Sequence, residues 1–318
     1  MKTARDNTVL VVAGPTASGK SALAMALAEA CDGVVINADS MQVYRELRIV
    51  TARPDAADVE RVPHRLYGCV AASNAYSVGD WLSMVAPVIE ETWASGRIPV
   101  VTGGTGMYLK SLIEGIAEIP AVPPDMRTQV QDLFDKIGGD AFRERLRAVD
   151  PLAADRLVAS DRQRLVRAME VYEATGRTLN DWHSDGNTPV LADARYVKIV
   201  IEPSRDILYA DIDRRFETMV EEGALDEVRA FMRFGLDPAL PASKAVGVRE
   251  LGDYLSGSAT LGVAIAAAQQ ASRNYAKRQL TWIRNQIQKD FSLTTQYSES
   301  ENEKIFSFIR QIGLTLPN

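Results

Sequence analysis

A chain of 318 residues, 46% apolar and 25% charged, has the composition of a globular protein, long enough for one large α/β domain with an insertion or for two domains. Its formal net charge of -6 argues, as an average, against an RNA partner, although a local basic patch on an acidic protein can still contact phosphate. Two cysteines (Cys31, Cys69) and two histidines (His64, His183) lack zinc spacing and make no disulfide framework, which points to a reduced, cytoplasmic setting, and no stretch approaches a membrane span.

Lys2 and Arg5 precede an apolar run too short for a signal peptide. Residues 9–13 (VLVVA) read as a buried strand, residues 14–21 as a Gly-bounded loop and the Ala/Leu-rich residues 21–30 as a helix. A second short strand, 34–37, is ended by Asp39 and Ser40. A third, 98–102, runs into Gly103-Gly104-Thr105-Gly106 and an amphipathic helix from Met107. Strands alternating with helices imply a parallel sheet with helices on both faces. The pattern changes at the Pro-rich residues 119–124 (IPAVPP). From there to about Asn187 only helical patterns appear, punctuated by Gly138-Gly139, Asp150-Pro151 and Gly176. Strand character returns at 196–201 (YVKIVI), helices dominate to about Lys289, and the polar tail beyond Phe291 gives little signal. The expected architecture is α/β: a P-loop-type parallel sheet flanked by helices, with residues 1–118 and 196–318 as the core and residues 119–195 as an all-helical insertion domain.

Gly14-Pro15-Thr16-Ala17-Ser18-Gly19-Lys20-Ser21 fits G-x-x-x-x-G-K-[ST], with a buried strand before it and a helix after. The glycines let backbone N–H groups face phosphate oxygens, and the helix N-terminus adds a favourable dipole. Lys20 supplies a point charge, and Ser21 can ligate Mg²⁺. The loop indicates phosphate binding without saying which phosphate compound is bound.

Asp39 follows the second strand, and in an open parallel sheet the carboxyl ends of strands line the ligand crevice. A carboxylate there can ligate Mg²⁺ or act as general base, while Asp39 or Ser40 could instead cap a helical turn. No further apolar strand ends in an Asp that would make a Walker B site. Arg143, Arg145, Arg147, Arg156, Arg162, Arg164, Arg167 and Arg177 fall in the insertion, with Arg164 and Arg167 on one helix face. Arg273, Lys277, Arg278 and Arg284 recur near the C-terminus, with Tyr275 and Trp282 interleaved. Either set could track a phosphate backbone or form a solvated, ion-paired face. Arg214 and Arg215, expected to open the helix after the 196–201 strand, could clamp pyrophosphate or pair with Asp211, Asp213 or Glu217.

Six stretches together resemble the bacterial tRNA dimethylallyltransferase family across about residues 9–285: GPTASGKS (14–21), NADSMQVY (37–44), GGTGMY (103–108), DRQRLVRAMEVYEATGR (161–177), SKAVGVREL (243–251) and YAKRQLTWIRN (275–285). The resemblance implies transfer of a dimethylallyl group from dimethylallyl diphosphate to the exocyclic amine of the adenine 3′ of the anticodon, with pyrophosphate leaving. It implies Asp39 as general base, with Ser40, Met41 and Gln42 against the acceptor nucleotide. The P-loop residues Gly14, Pro15, Thr16, Ala17, Ser18, Gly19, Lys20 and Ser21 would bind the diphosphate, with Mg²⁺ on Ser21 and Arg215 assisting. Thr105, Arg127, Gln163, Arg164, Leu165, Val166, Arg167, Lys244 and Arg249 would hold the anticodon stem-loop. One departure stands out: the family often has Gly-Thr-Ala-Lys-Pro where this chain has Val50-Thr51-Ala52-Arg53-Pro54, which retains the charge and alters only local loop shape.

The chemistry fits the residues. An exocyclic adenine amine is a poor nucleophile, and a positioned carboxylate that takes its proton would help. Departure of pyrophosphate is eased by Lys20, Mg²⁺ and backbone N–H groups. A monomer suffices. Three alternatives stay open on the residues alone. An isoprenoid transferase acting on free adenine nucleotides would share the P-loop and Asp39 but would not need the Arg-bearing insertion. A small-molecule kinase would consume ATP. A non-catalytic RNA-binding module would tolerate loss of Asp39.

Overall fold

The apolar run after Asn7 forms β1 (Thr8–Ala13), and all six residues are buried. Continuous rather than alternating burial marks a strand covered on both faces. In the computed structural model of the chain, which describes residues 7–314, β1 leads into α1 (Lys20–Cys31), β2 (Gly33–Asn37), α2 (Ala56–Arg61), β3 (His64–Arg65), α3 (Val78–Ala94), β4 (Ile98–Gly103) and α4 (Gly106–Glu114). Lys2, Arg5 and residues 315–318 lie outside the described residues. Next come α5 (Pro124–Arg147), α6 (Pro151–Arg156), α7 (Arg162–Thr175) and α8 (Leu179–Ser184). The chain then runs through β5 (Arg195–Ile201), α9 (Arg205–Glu221), α10 (Ala224–Met232), α11 (Val248–Leu255), α12 (Leu261–Gln286), β6 (Phe291–Leu293) and α13 (Asn302–Gln311). Among the described residues, no helix is long and apolar enough to cross a membrane.

The strands form one six-stranded parallel sheet in the order β3-β2-β4-β1-β5-β6. β2, β4 and β1 are therefore adjacent, and the loops after them leave from one edge of the sheet. One face carries α1 and α13, whose Leu23, Leu27, Ile305 and Ile309 pack with Leu10, Val35 and Ile199. A second apolar cluster joins the 43–50 loop to α9, α10, α11 and α12 through Tyr44, Leu47, Phe216, Val228, Leu251 and Ala268.

The chain divides into two compact units, Met1–Ile113 with Leu191–Asn318, and Glu114–Val190. The second unit starts five residues earlier than the composition change at Ile119 and ends five residues before 195. α4 ends at Glu114, and Ile116 already bridges Thr188 in antiparallel fashion, so the base of the insertion closes ahead of the Pro-rich segment. Within this unit α5 turns at Gly138, whose φ of 78° lies in the left-handed region, and Phe142, Leu146, Leu165 and Met169 form its core.

Three elements differ from the sequence reading. β3 and β6 were unforeseen, being two and three residues long with little apolar alternation. The tail carries structure as far as Leu314: β6 pairs with β5, and Phe291 stacks on Phe308 at 4.9 Å between centroids. Arg214 and Arg215 lie midway along α9 rather than opening it. Burial of Leu208, Ile212 and Phe216 at helical spacing carries that helix back to Arg205.

Candidate active site

Three adjacent strands deliver the three loops that meet at the sheet edge. β1 gives the phosphate loop, β2 gives Asp39, and β4 gives the Gly103-Gly104-Thr105 turn. Backbone bonds tie the last two together: Ala38 N–H donates to Thr102 O (2.7 Å) and Thr105 N–H to Ala38 O (3.3 Å). A Cβ on Gly103 would stand 2.1 Å from Ala38 O, so this approach requires glycine. The Thr105 hydroxyl accepts Ser40 N–H (2.9 Å) and donates to Ser40 Oγ (3.2 Å). Thr105 thus fixes the Asp39 loop from below.

In the phosphate loop, Ala17 at φ 62° and Gly19 at φ 86° turn the chain into α1. The outer side of the loop is strapped by the C-terminal tail, since Tyr297 N–H donates to Ser18 O (3.2 Å) and Gln296 Nε2 to Ala17 O (3.1 Å). The other side is fixed by Gln279, which is buried; its Oε1 accepts Thr16 N–H (2.8 Å) and its Nε2 donates to Gly104 O (3.0 Å). One amide thereby links the phosphate loop to the β4 turn. Lys20 Nζ donates to Pro15 O (3.2 Å), and Arg215 Nη1 to Thr16 Oγ1 (3.4 Å). Burial pulls the Lys20 ammonium down to about 8, with Asp39 opposing the shift and Arg215 adding to it. The Arg215 guanidinium is also lowered by burial, again opposed by Asp39. Two cations and one carboxylate thus share a poorly solvated crevice, in the arrangement that a bound polyanion would complete.

Asp39 is half-buried, and its Oδ1 accepts Met41 N–H (2.9 Å). It lines a cavity together with the polar Thr16 and Arg215 and the apolar Val50, Ile212, Phe216, Met219 and Val246. Met41 also lines this cavity, whereas the Gln42 amide is spent on the carbonyls of Thr51 (2.8 Å) and Ala52 (2.9 Å). The loop that carries Val50 is held by Glu227, whose carboxylate accepts the N–H groups of Arg48, Ile49 and Val50. Tyr275 also lines the cavity, and burial pushes its phenol upward. A second opening beside it is lined by Gly19, Lys20, Ser21, Asp211, Arg214 and Gln296.

Glu202, the carboxylate placed directly after β5, has a largely buried side chain that pairs with Arg284 (3.4 Å) and Lys289 and so is already engaged by two cations. Among the described residues no cluster of three His, Cys, Asp or Glu could hold a metal. Ser21 is exposed at the crevice mouth, and the Oδ2 of Asp211 nearby is buried without a partner. This donor set fits an ion that takes few protein ligands and completes its shell with phosphate and water oxygens, as Mg²⁺ does.

In the insertion, Arg127, Gln163 and Arg164 are exposed and Arg167 is half-buried. Two of the α7 arginines meet a carboxylate three residues away, Arg164 with Asp161 (3.2 Å) and Arg167 with Glu170 (3.8 Å), while Arg162 pairs with Asp135 of α5 (2.8 Å). Glu170 is buried and also faces Arg127 at 4.0 Å. Leu165 and Val166 correct the sequence reading. Their side chains are buried in the insertion's own core, because the apolar positions of α7 face α5, and they are withheld from any ligand. Lys244 and Arg249 are both exposed, on the turn before α11 and in its first turn. On α12, Arg273 is paired with Asp213, and Arg278 lies over the Tyr275 ring. The residues the sequence reading left without a role are Asn37, Gln279, Gln296 and Tyr297. Asn37 and Gln279 lie inside the quoted stretches, but a buried amide that bridges distant loops leaves no spacing signal.

The pattern of the family described as IPP transferase matches residues 42–286, and that of isopentenyl transferase matches residues 7–72. The chain is 49% identical over 306 residues to a tRNA dimethylallyltransferase of Parvibaculum lavamentivorans, covering 96% of this chain and 97% of that one. It is 50% identical over 279 residues to a tRNA dimethylallyltransferase of Phenylobacterium zucineum, covering 88% and 90%. Among solved structures, the tRNA isopentenylpyrophosphate transferase of Bacillus halodurans superimposes with a TM-score of 0.70 at 33% identity, over 96% of this chain and 97% of that one. A eukaryotic dimethylallyltransferase acting on tRNA gives 0.81 at 26% identity, over 96% and 78%.

Proposed function

The chain belongs to the IPP transferase family, whose close relatives are tRNA dimethylallyltransferases, and we propose that it moves the dimethylallyl group of dimethylallyl diphosphate onto the exocyclic amine of the adenine 3′ of a tRNA anticodon. The observation that carries this reading is the cavity that Asp39 lines. The same cavity is lined by phosphate-loop residues and Arg215, suited to a diphosphate, and by apolar side chains suited to a short hydrocarbon.

In the proposed step the N6–C1 bond forms as the C1–O bond to diphosphate breaks. The amine proton passes to Asp39, and pyrophosphate takes the electron pair of the broken bond. Charge grows on the bridging oxygen as it leaves, and Lys20, Arg215 and the N–H groups at the start of α1 oppose that charge in a site of low dielectric. Mg²⁺, held by Ser21 and the diphosphate, would add positive charge at the same place. A base in a loop must leave its stack to reach Asp39, at a cost of a few kcal/mol that pocket contacts offset. The arginines of the insertion, with Lys244 and Arg249, supply the phosphate contacts of the anticodon arm in this reading. A single chain carries every group the step needs, and the reaction belongs in the cytoplasm, where tRNA is.

The test is transfer of label from radiolabelled dimethylallyl diphosphate with Mg²⁺, offering tRNA and AMP side by side. Label on tRNA alone is expected. Label on AMP would identify an enzyme of free nucleotides, and ATP turnover without any label transfer would identify a kinase.

A further inference from the structure

Asn37 ends β2 with no exposed surface, two residues before Asp39. Its side chain makes three hydrogen bonds, two of them to Asp39. Oδ1 accepts Asp39 N–H at 2.8 Å, and Nδ2 donates to Asp39 O at 3.0 Å. Nδ2 donates again to Leu66 O at 3.1 Å, which ties the same side chain to the segment after β3. The Asn37 backbone carbonyl accepts the indole N–H of Trp81 at 2.9 Å. Trp81 is itself immobilised, fully buried and stacked on Tyr108 at 4.6 Å between centroids. Both peptide groups of Asp39 are thus gripped by one side-chain amide, and the main chain of the same residue is held by a rigid aromatic pair.

The consequence reaches the carboxylate. Once the backbone of Asp39 is fixed, its Oδ1 is caught by Met41 N–H at 2.9 Å, which leaves Oδ2 as the oxygen without a bond from its own loop. A short side chain with two torsions, pinned at its backbone and at one oxygen, has little freedom left. Asparagine is suited to this work because its amide carries a donor and an acceptor on separate atoms with no charge, whereas a hydroxyl carries both on one oxygen. An aspartate in its place would set a carboxylate against two carbonyl oxygens, and a serine could not span both.

We propose that Asn37 is the positioning residue of Asp39: it sets the backbone from which the carboxylate is aimed at the acceptor amine, with Trp81 as its brace. The proposal rests on Asp39 being the general base. Asn37 touches no substrate, so its loss acts on the transfer step and spares the binding of either substrate.

The experiment compares Asn37→Ala, Asn37→Ser and Trp81→Phe in the full-length protein by single-turnover transfer to tRNA, by KM for dimethylallyl diphosphate and by tRNA affinity. Asp39→Asn and the double variant with Asn37→Ala run beside them. Asn37→Ala is expected to slow transfer about a hundredfold, the scale of a misplacement of about 1 Å, with KM and tRNA affinity within about twofold of the parent. In the Asp39→Asn background the same change is expected to add nothing, because the group it aims is already gone. Trp81→Phe keeps an aromatic ring beside Tyr108 and removes the indole N–H, so it is expected to slow transfer about tenfold with the same unchanged KM. An unaltered transfer rate in Asn37→Ala overturns the proposal, as does a loss shared equally by rate, KM and tRNA affinity, or a full further loss in the Asp39→Asn background. Should Asn37→Ala not fold, the same criteria apply to Asn37→Ser and Trp81→Phe. Parent-like transfer by Asp39→Asn would remove the base assignment and this proposal together, whereas an inactive Asp39→Asn beside a normal Asn37→Ala would reject the positioning role alone.

Discussion

Lys20 and Arg215 stand in a desolvated crevice with a backbone carbonyl and a hydroxyl for hydrogen-bond partners, while Arg162, Arg164 and Arg177 of the insertion meet Asp135, Asp161 and Asp185 at the surface. The crevice cations are pulled toward neutrality by burial, a cost that a diphosphate would offset. These three arginines have surrendered little hydration, and a phosphate backbone can draw them from their surface pairs at a cost of about 1 kcal/mol or less each. On the proposed function, the crevice cations and the insertion's arginines therefore do different work. Where solvent is excluded, each group carries a large share of the chemistry. Where it is not, the groups act by number, and salt screens them.

That contrast can be broken at several points. Asp39→Ala is expected to slow transfer by about a thousandfold while tRNA affinity stays at the parental value, the range of a lost general base. Equal loss in both would make Asp39 a binding residue. Lys20→Met is expected to cost about a hundredfold in kcat/KM for the diphosphate, measured at pH 7. A bound polyanion favours protonated Lys20, so donor affinity should hold below about pH 8 and decline as pH rises through it. The Lys20→Met variant, carrying only the ligand's own titration, should lack that decline, and parallel profiles would show that Lys20 does not titrate there.

Gln279→Leu leaves Thr16 N–H and Gly104 C=O without their partner in a buried position, a loss of about 2–4 kcal/mol seen as a lower denaturation midpoint. A midpoint unchanged by this substitution would mean that the amide is replaced by water at no cost. Smallest is the effect of Arg164→Ala or Arg167→Ala, about 1 kcal/mol in tRNA affinity, with the slope of log K against log salt reduced by about one. An unaltered slope would take that residue off the RNA-facing surface.

Much of this site could be read from local sequence. The strand, Gly-bounded loop and helix around Lys20 announce themselves within about twenty residues, and Asp39 is marked by its place after a short apolar strand. Arg215, singled out through the family resemblance, lies in the crevice beside Thr16, although its helix begins nine residues before the expected start at Arg214. What stayed hidden are contacts between distant positions. Gln279 reaches Thr16 across 263 residues, and Gln296 reaches Ala17 across 279, with neither spacing nor composition to mark them. β6 is too short to show a period, yet it is the edge that sets Tyr297 against the phosphate loop. Leu165 and Val166 were swept in with their arginine neighbours because a linear motif does not distinguish the two faces of α7, whereas burial does.

The division between a crevice that does chemistry and an insertion that grips is tested most directly by running Asp39→Ala beside the Arg164→Ala, Arg167→Ala double variant over a salt series, reading tRNA affinity and single-turnover transfer at saturating tRNA. The expected result is a crossed pattern: Asp39→Ala loses rate and keeps the parental salt slope, while the double variant keeps its rate and loses slope. Loss of rate at saturation in the double variant, or a changed slope in Asp39→Ala, would contradict the division.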